Sequence, residues 1–357
     1  MSLSRNSLAS LLADVEPLII HHWDADGIAS AVTVAQFVGP GAIFVVPPFT
    51  YRPPRDFVEQ ASKLAANKDV VLVLDYNAPP EVYASLVTAA GGRPVVAVDH
   101  HTTTYPRVPN FYYYNPAAEG DPNGLWPSAA HVIADALGFY DPMLVAMSIY
   151  GDLWDDAVNN RVYRAYMEEV GLDVKEDSEL IRNCAMQIWA AEAAKLKDVI
   201  DGLAYSLAYG GADPCEAILS DPRMTNAREA VEEELSRARS AASRKEELNG
   251  RVLAFGVTTK YKITGMLARQ LARENAGKIV VVYSVEEGAT GRIYVRGLAQ
   301  AKPLIEELRS KGLNVGGKSQ RSNNVVSLEV QPGDLEQAVD LVIKSIGKLA
   351  DVLVSNG

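Results

Sequence analysis

The stretch that most constrains the fold is residues 18–31, LIIHHWDADGIASA, where an apolar run, a set of polar side chains and a glycine turn follow one another directly. Pro17, Leu18, Ile19 and Ile20 make the short apolar run of a strand buried in a parallel sheet, and Gly27 opens a helical pattern. The carboxylates between them therefore lie on a strand-to-helix loop, at the carboxyl edge where open α/β sheets bind ligands. His22, Asp24 and Asp26 alternate, so an extended chain projects all three to one side. One imidazole and two carboxylates on one side are half of a divalent-metal site. The same residues also suit a polar turn whose aspartates cap the following helix, and this stretch alone leaves both readings open.

The rest of the chain supplies partners for that loop. Strands are expected at 42–46, 70–74 and 94–98, alternating with helices at 27–38, 55–66 and 80–90, after a leading helix at 7–14. The run VVLVL delivers Asp75 at its carboxyl end, and PVVAV delivers Asp99, His100 and His101. This alternation predicts a mostly parallel sheet with right-handed crossovers. A short strand at 111, a Pro- and Gly-rich loop and a helix over 127–137 come next, then an apolar helix from 144 that carries Gly151 and Asp152. Residues 159–170 and 177–209 read as helical, and 225–248 as a charged, solvated helix joining two domains. From 251 the pattern returns to α/β, with strands at 252–255, 279–283, 292–295 and 325–330 and helices at 263–274, 303–311 and 334–346. The length of 357 residues suits two domains. The expected class is α/β: a metal-binding domain on a mostly parallel sheet over 1–210, a helical connector over 211–250 and a smaller α/β domain over 251–357.

Composition removes some partners. With 34 basic against 45 acidic residues the formal charge is -11, so no overall field favours a long polyanion such as duplex DNA, and any nucleic-acid contact needs a local basic patch. Cys184 and Cys215 are too few and too far apart in sequence for a disulfide framework or a thiolate metal site, which fits a reducing compartment. No apolar run reaches 18 residues and the N-terminus lacks a signal-peptide pattern, so a soluble, cytoplasmic protein with no membrane partner is expected. All five histidines lie within the first 131 residues, which places imidazole chemistry in the N-terminal half.

His22, Asp24, Asp26, Asp75, His100 and Asp152 together can assemble a two-metal site. Asp75, at the end of its own strand, is best placed to bridge. Two divalent ions about 3.5 to 4 Å apart polarise a phosphoryl oxygen and generate hydroxide from water, which is hydrolytic phosphate chemistry. Oxygen and imidazole ligands without thiolate suit Mn²⁺ first, with Mg²⁺, Co²⁺ or Zn²⁺ admissible.

HWDADG at 22–27, Asp75 closing VLVLD, VDHH at 98–101 and GD at 151–152 resemble, in order and spacing, the four motifs of the DHH phosphoesterase superfamily. GRIYVRG at 291–297 and VGGK at 315–318 resemble the smaller DHH-associated domain of RecJ-type nucleases, oligoribonuclease-type enzymes and cyclic-dinucleotide phosphodiesterases. The resemblance implies that His22, Asp24 and Asp75 hold one metal, and Asp26, Asp75, His100 and Asp152 the other. It implies that His101 faces the substrate phosphate as a hydrogen-bond or proton donor, with Asp99 orienting an imidazole beside it. His21 is expected on the opposite face of the strand from His22, His131 in the core, and Asp155 and Asp156 on the surface.

In the C-terminal part, relatives carry a histidine after the paired glycines where this chain has GGKSQRSNN. Gly316 and Gly317 would let backbone N–H groups approach a phosphate, and Lys318, Arg321, Arg292 and Arg296 would form a small cationic pocket. An ordinary exposed turn with scattered basic residues fits equally. The implied function is a metal-dependent phosphodiesterase or exonuclease acting on short nucleotides or single-stranded oligonucleotides. Two alternatives stand beside it. One is hydrolysis or phosphoryl transfer on a small polyanion such as polyphosphate, pyrophosphate or a phosphorylated metabolite. The other is a non-catalytic, replication-associated RecJ relative. A homodimer is compatible with all three.

Overall fold

The computed structural model describes residues 1–121, 123–286, 290–319 and 324–353. In chain order its elements are α1 (Arg5–Leu12), β1 (Pro17–His21), α2 (Ala25–Val38), β2 (Ile43–Val45), α3 (Arg55–Ala65), β3 (Val70–Leu74), α4 (Pro80–Ala89), β4 (Val95–Val98), β5 (Phe111–Tyr114), α5 (Ala129–Leu137) and α6 (Pro142–Leu153). A 3₁₀ turn (Trp154–Asn159) leads to α7 (Arg161–Glu169), α8 (Ser178–Ala193), α9 (Lys197–Tyr209), α10 (Pro214–Ser220) and α11 (Pro222–Ala241). The remainder is β6 (Ser243–Glu247), β7 (Val252–Thr259), α12 (Thr264–Glu274), β8 (Ile279–Glu286), β9 (Thr290–Arg296), α13 (Lys302–Ser310), β10 (Val315–Ser319), β11 (Asn324–Val330), α14 (Leu335–Lys348) and α15 (Ala350–Leu353). Two compact units divide the chain, Met1–Arg228 and Glu229–Gly357. Each is α/β, and no described helix is long and apolar enough to cross a membrane. Residues 211–228 thus belong to the first unit and 229–250 to the second, where a separate helical connector was expected.

In the first unit the sheet order is β2-β1-β3-β4-β5, all parallel. Every residue of β1, β3 and β4 is buried, the pattern of strands covered by helices on both faces. From β1 the chain crosses to β2 on one side, and from β3 to β4 and β5 on the other. The gap between the carboxyl ends of β1 and β3 is therefore the topological switch point, where ligands bind in this class of sheet. The largely helical stretch expected over 177–209 is two helices, α8 and α9, separated at 194–196, where Lys195 adopts φ 58°.

The second unit's sheet has the order β10-β11-β9-β8-β7-β6, antiparallel except for β7 beside β8. Its core lies between Val281, Ile293, Val295, Val326 and Leu328 on one sheet face and the apolar sides of α13 and α14. The other face meets α12, where a Cβ on Gly265 would come within 3.1 Å of the Tyr294 ring. Two of these strands escape sequence reading. The stretch expected to continue a helix to 248 instead turns at 242 and returns as β6, whose side chains are almost wholly exposed. VGGK, expected as a turn, is part of β10, paired antiparallel with β11 from Val315↔Leu328 to Ser319↔Asn324.

Candidate metal centre

The site begins where β1 ends. The chain does not stay extended through Asp26: β1 stops at His21, Asp24 caps α2 by accepting from Gly27 N at 3.0 Å, and Asp26 already lies in the first helical turn. His22, Asp24 and Asp26 still converge because this turn is tight. A Cβ on Gly27 would fall 2.3 Å from the His22 carbonyl oxygen, so only glycine lets the helix start so close to the strand it leaves. Asp24 therefore does both things the sequence left open, capping the helix and facing His22.

β3 contributes Asp75 in a left-handed conformation, φ 55°, a region that short polar side chains tolerate best. Its Oδ2 lies 3.7 Å from His22 Nδ1 and its Oδ1 3.7 Å from His100 Nε2. Asp75 Oδ1 is buried and accepts no hydrogen bond. β4 contributes Asp99, His100 and His101. His100 Nδ1 lies 3.1 Å from the Trp126 carbonyl oxygen, which fixes the proton there and turns Nε2 toward Asp152 Oδ2 at 2.9 Å and Asp26 Oδ2 at 3.6 Å. Asp152 reaches the centre from the last turn of α6. Gly151 makes that possible, since a Cβ there would approach Ala25 Cβ to 2.9 Å and push α6 away from α2.

Asp26 is gripped by a helix terminus. Its two oxygens accept from Ala129 N at 2.7 Å and Ala130 N at 2.8 Å, the first amides of α5, where the dipole favours a carboxylate. Asp99 accepts on one oxygen from His100 N, His101 N and His101 Nδ1, at 2.7, 2.9 and 2.7 Å, and on the other from Asn77 N at 3.0 Å. It therefore orients His101, the less buried of the two imidazoles, with the side chain 14% exposed. Burial alone would raise Asp99, but His101 and the amides hold it below the usual carboxylate range. Burial and the neighbouring carboxylates push Asp75 well above that range, and Asp26 is raised likewise by burial and by Asp152 and Asp24. Burial also opposes charge on Asp24, yet the adjacent His22 leaves it lowered.

The ligand-type atoms gather in three sets, each within 4.8 Å: His22, Asp24 and Asp75; Asp26, His100 and Asp152; and Asp75, His100 and His101. A buried carboxylate oxygen with no donor, amid further carboxylates and imidazoles, fits divalent cations. The chemistry of this set is hard-cation chemistry, with oxygen and nitrogen donors only.

The profile of the DHH family's N-terminal domain matches residues 17–150, which span all of these residues except Asp152. Over these residues the chain is similar to the DHH family's N-terminal domain. Among solved structures, a DHH-domain member of the s1p family of ribosomal proteins superposes with TM-score 0.66 at 14% identity, over 98% of this chain and 89% of that one. RecJ in complex with Mn²⁺ from Thermus thermophilus gives 0.63 at 17%, over 96% of this chain and 55% of that one. An exonuclease RecJ bound to manganese gives 0.58 at 17%, over 96% and 94%. At these identities the likeness is one of fold. No curated protein matches the chain.

The other residues singled out in the sequence fall as follows. His21 faces away from the centre, its ring edge against Phe44 and its Nδ1 2.7 Å from the His22 carbonyl oxygen, and burial lowers its pKa to about 4. His131 packs on Trp126 and shares a hydrogen bond with Tyr166 Oη at 2.9 Å. Exposed Asp155 accepts from Tyr150 Oη. Cys184 and Cys215, distant in sequence, are paired as a disulfide with Cα atoms 5.7 Å apart, because α8 and α10 lie side by side, contrary to the reading from their spacing. In the second unit Arg292 is not a pocket cation. It is buried and ion-paired with Glu286 at 3.0 Å and with Glu329, which neutralises it within the sheet. Arg296 and Lys318 lie on the sheet face opposite Val295 and Val315, two strands apart. A Cβ on Gly317 would fall 2.2 Å from the Val325 carbonyl oxygen, so this glycine serves the approach of β10 to β11, while Gly316 is exposed. Arg321 lies outside the described residues.

Sequence reading missed the groups that hold the ligands: the Trp126 carbonyl, the α5 amides, Asn77 N, and Asp121, which accepts from Leu125 N and Trp126 N and so shapes the loop that reaches His100. Most are backbone groups, which leave no residue signature. An aspartate in a Pro- and Gly-rich loop was the one visible sign.

Proposed function

We propose that this chain is a metal-dependent phosphoesterase that hydrolyses short nucleotides or single-stranded oligonucleotides from an end. The observation that supports it most is buried Asp75, whose two carboxylate oxygens each lie 3.7 Å from a different imidazole, those of His22 and His100, as a residue shared by two divalent ions would. In this reading His22, Asp24 and Asp75 hold one ion and Asp26, Asp75, His100 and Asp152 the other, Mn²⁺ first, with Mg²⁺ or Co²⁺ as substitutes. Two solved structures of similar fold, both RecJ, hold manganese. When bound, such ions neutralise phosphoryl charge and activate water.

The residues then divide the work. The α5 amides and the Trp126 carbonyl keep Asp26 and His100 aimed inward. Asp99 accepts the His101 Nδ1–H and stabilises the imidazolium, whose Nε2–H donates to the phosphoryl or leaving oxygen. In the second unit, Arg296, Lys318 and Arg321, with the backbone at Gly316 and Gly317, bind substrate phosphates. Arg292 is left out, being neutralised already. The fixed charge of Lys318 also favours a second reading, a small polyanion such as polyphosphate on the same metal residues. A non-catalytic role would follow from lost ligand positions, and all six are present.

A screen with Mn²⁺ that compares a dinucleotide, a single-stranded oligomer, a cyclic dinucleotide and polyphosphate decides between the substrates. Within it, His101→Ala is expected to lower turnover by about 10² to 10⁴ with metal content intact, and His100→Ala to lose metal. Equal metal loss in both would overturn the division of roles.

A further inference from the structure

The loop from β2 to α3 runs VPPFTYRPP, with prolines at 47, 48, 53 and 54. It is anchored by Tyr76 Oη, which donates to the Thr50 carbonyl at 2.5 Å, and by Arg52, which pairs with Glu81. The anchored loop lays Tyr51 over the metal centre. Its ring stacks on His22 at 5.7 Å and 19° and on Tyr76 at 6.0 Å and 24°, with Trp23 at 5.6 Å. Its phenol oxygen lies 3.2 Å from His22 Nε2. The other ring nitrogen, Nδ1, points toward the carboxylates, 2.8 Å from Asp24 Oδ2 and 3.7 Å from Asp75 Oδ2.

We propose that Tyr51 is a positioning residue for this centre: its stacked ring and its Oη, hydrogen-bonded to His22 Nε2, hold the imidazole with Nδ1 aimed at Asp24 and Asp75. The Oη is placed to accept the Nε2–H once a cation takes the Nδ1 lone pair. The inference rests on the metal reading above. A neutral imidazole carries one proton, and a ligand nitrogen must be the one without it. Left to water, His22 would divide between tautomers and rotate. The Tyr51 hydroxyl, able to donate to Nε2 or to accept from it, holds the ring in either protonation, and the stacked rings keep the imidazole plane where Nδ1 meets the carboxylates. Such partners of metal-binding histidines typically contribute 10- to 100-fold in metal affinity.

The test uses the full chain, stripped of metal and titrated calorimetrically with Mn²⁺ alone, as wild type, Tyr51→Phe and Tyr51→Ala. Tyr51→Phe keeps the stacked ring and loses the oxygen. It is expected to weaken one Mn²⁺ site about 10- to 100-fold and leave the other unchanged. Long-range ¹⁵N correlation spectra of histidine-labelled protein with diamagnetic Mg²⁺ should show a single His22 state with its proton on Nε2 in the wild type and a mixture of bound and unbound states in Tyr51→Phe. Tyr51→Ala should lose at least as much affinity at the same site. Wild type that binds no Mn²⁺ would remove the metal reading itself. Wild type with two sites, beside a Tyr51→Phe variant with the same affinities and the same single His22 state, would overturn the role of Tyr51 alone. So would a Tyr51→Ala variant with full Mn²⁺ affinity and only a raised KM, which would make the ring a substrate contact.

Discussion

Asp75 carries two demands at one position: a left-handed backbone and a carboxylate shared by two sets of ligand atoms. Asparagine meets the first demand and fails the second. Asp75→Asn should therefore fold, as judged by its circular dichroism and melting, yet bind Mn²⁺ at least tenfold more weakly at both sites. Full stoichiometry at wild-type affinity would rule Asp75 out as the bridge. His131 offers a titration separate from the centre. Burial lowers its pKa from the ordinary 6.5, so the folded chain binds this proton less readily than the unfolded one. Its contribution is complete above pH 6.5 and is lost as pH falls below that value. His131→Gln, which keeps a partner for Tyr166, should flatten the decline in melting temperature between pH 7 and 5; an unchanged slope would assign the decline to other groups. That the candidate ligand residues gather at one place was legible in sequence because strand ends and a glycine turn point them to one edge of the sheet. What holds them was not, since an amide of Ala129 or a carbonyl of Trp126 looks the same in any residue, and Tyr51 reaches His22 from a loop 29 positions away.

Among the elements, the parallel sheet was readable because its strands are continuous apolar runs, whereas β6 and β10 were not. Both are edge strands, one almost wholly polar and one glycine-rich, and each is a strand only because a neighbour pairs with it. Helix contact gives the sharper test. Gly151→Ala adds a methyl 2.9 Å from Ala25 Cβ, so α6 must move off α2 and take Asp152 away from His100. The expected cost is about 1 to 3 kcal/mol of stability, read from urea unfolding, with weaker Mn²⁺ binding at the His100 site. A variant as stable as wild type with unchanged Mn²⁺ affinity would show that α2 and α6 have slack here.

At the scale of the molecule, the proposed function makes substrate choice depend on how phosphate charge is gripped away from the candidate metal residues. On that proposal Lys318 would bind phosphate as a point charge, indifferent to base or sugar. Lys318→Ala should raise KM most for substrates with several phosphates, by about 1.5 to 3 kcal/mol for each lost charge-assisted hydrogen bond. Arg296→Ala should act likewise, and the double variant should be less than additive if both meet one phosphate. Additive losses that ignore salt concentration would place the grip elsewhere.

The clasp of α5 on Asp26 has a further consequence. Two amides that close on a ligand carboxylate are spectroscopic reporters already present in the native sequence. An opening that frees Ala129 and Ala130 also releases Asp26, so a metal bound there would oppose it in proportion to its concentration over its dissociation constant. At a Mn²⁺ concentration about 100 times its dissociation constant, deuterium should enter these two amides about 100-fold more slowly than after chelation. Exchange at the far end of α5 should respond less, which would make occupancy readable without any substrate.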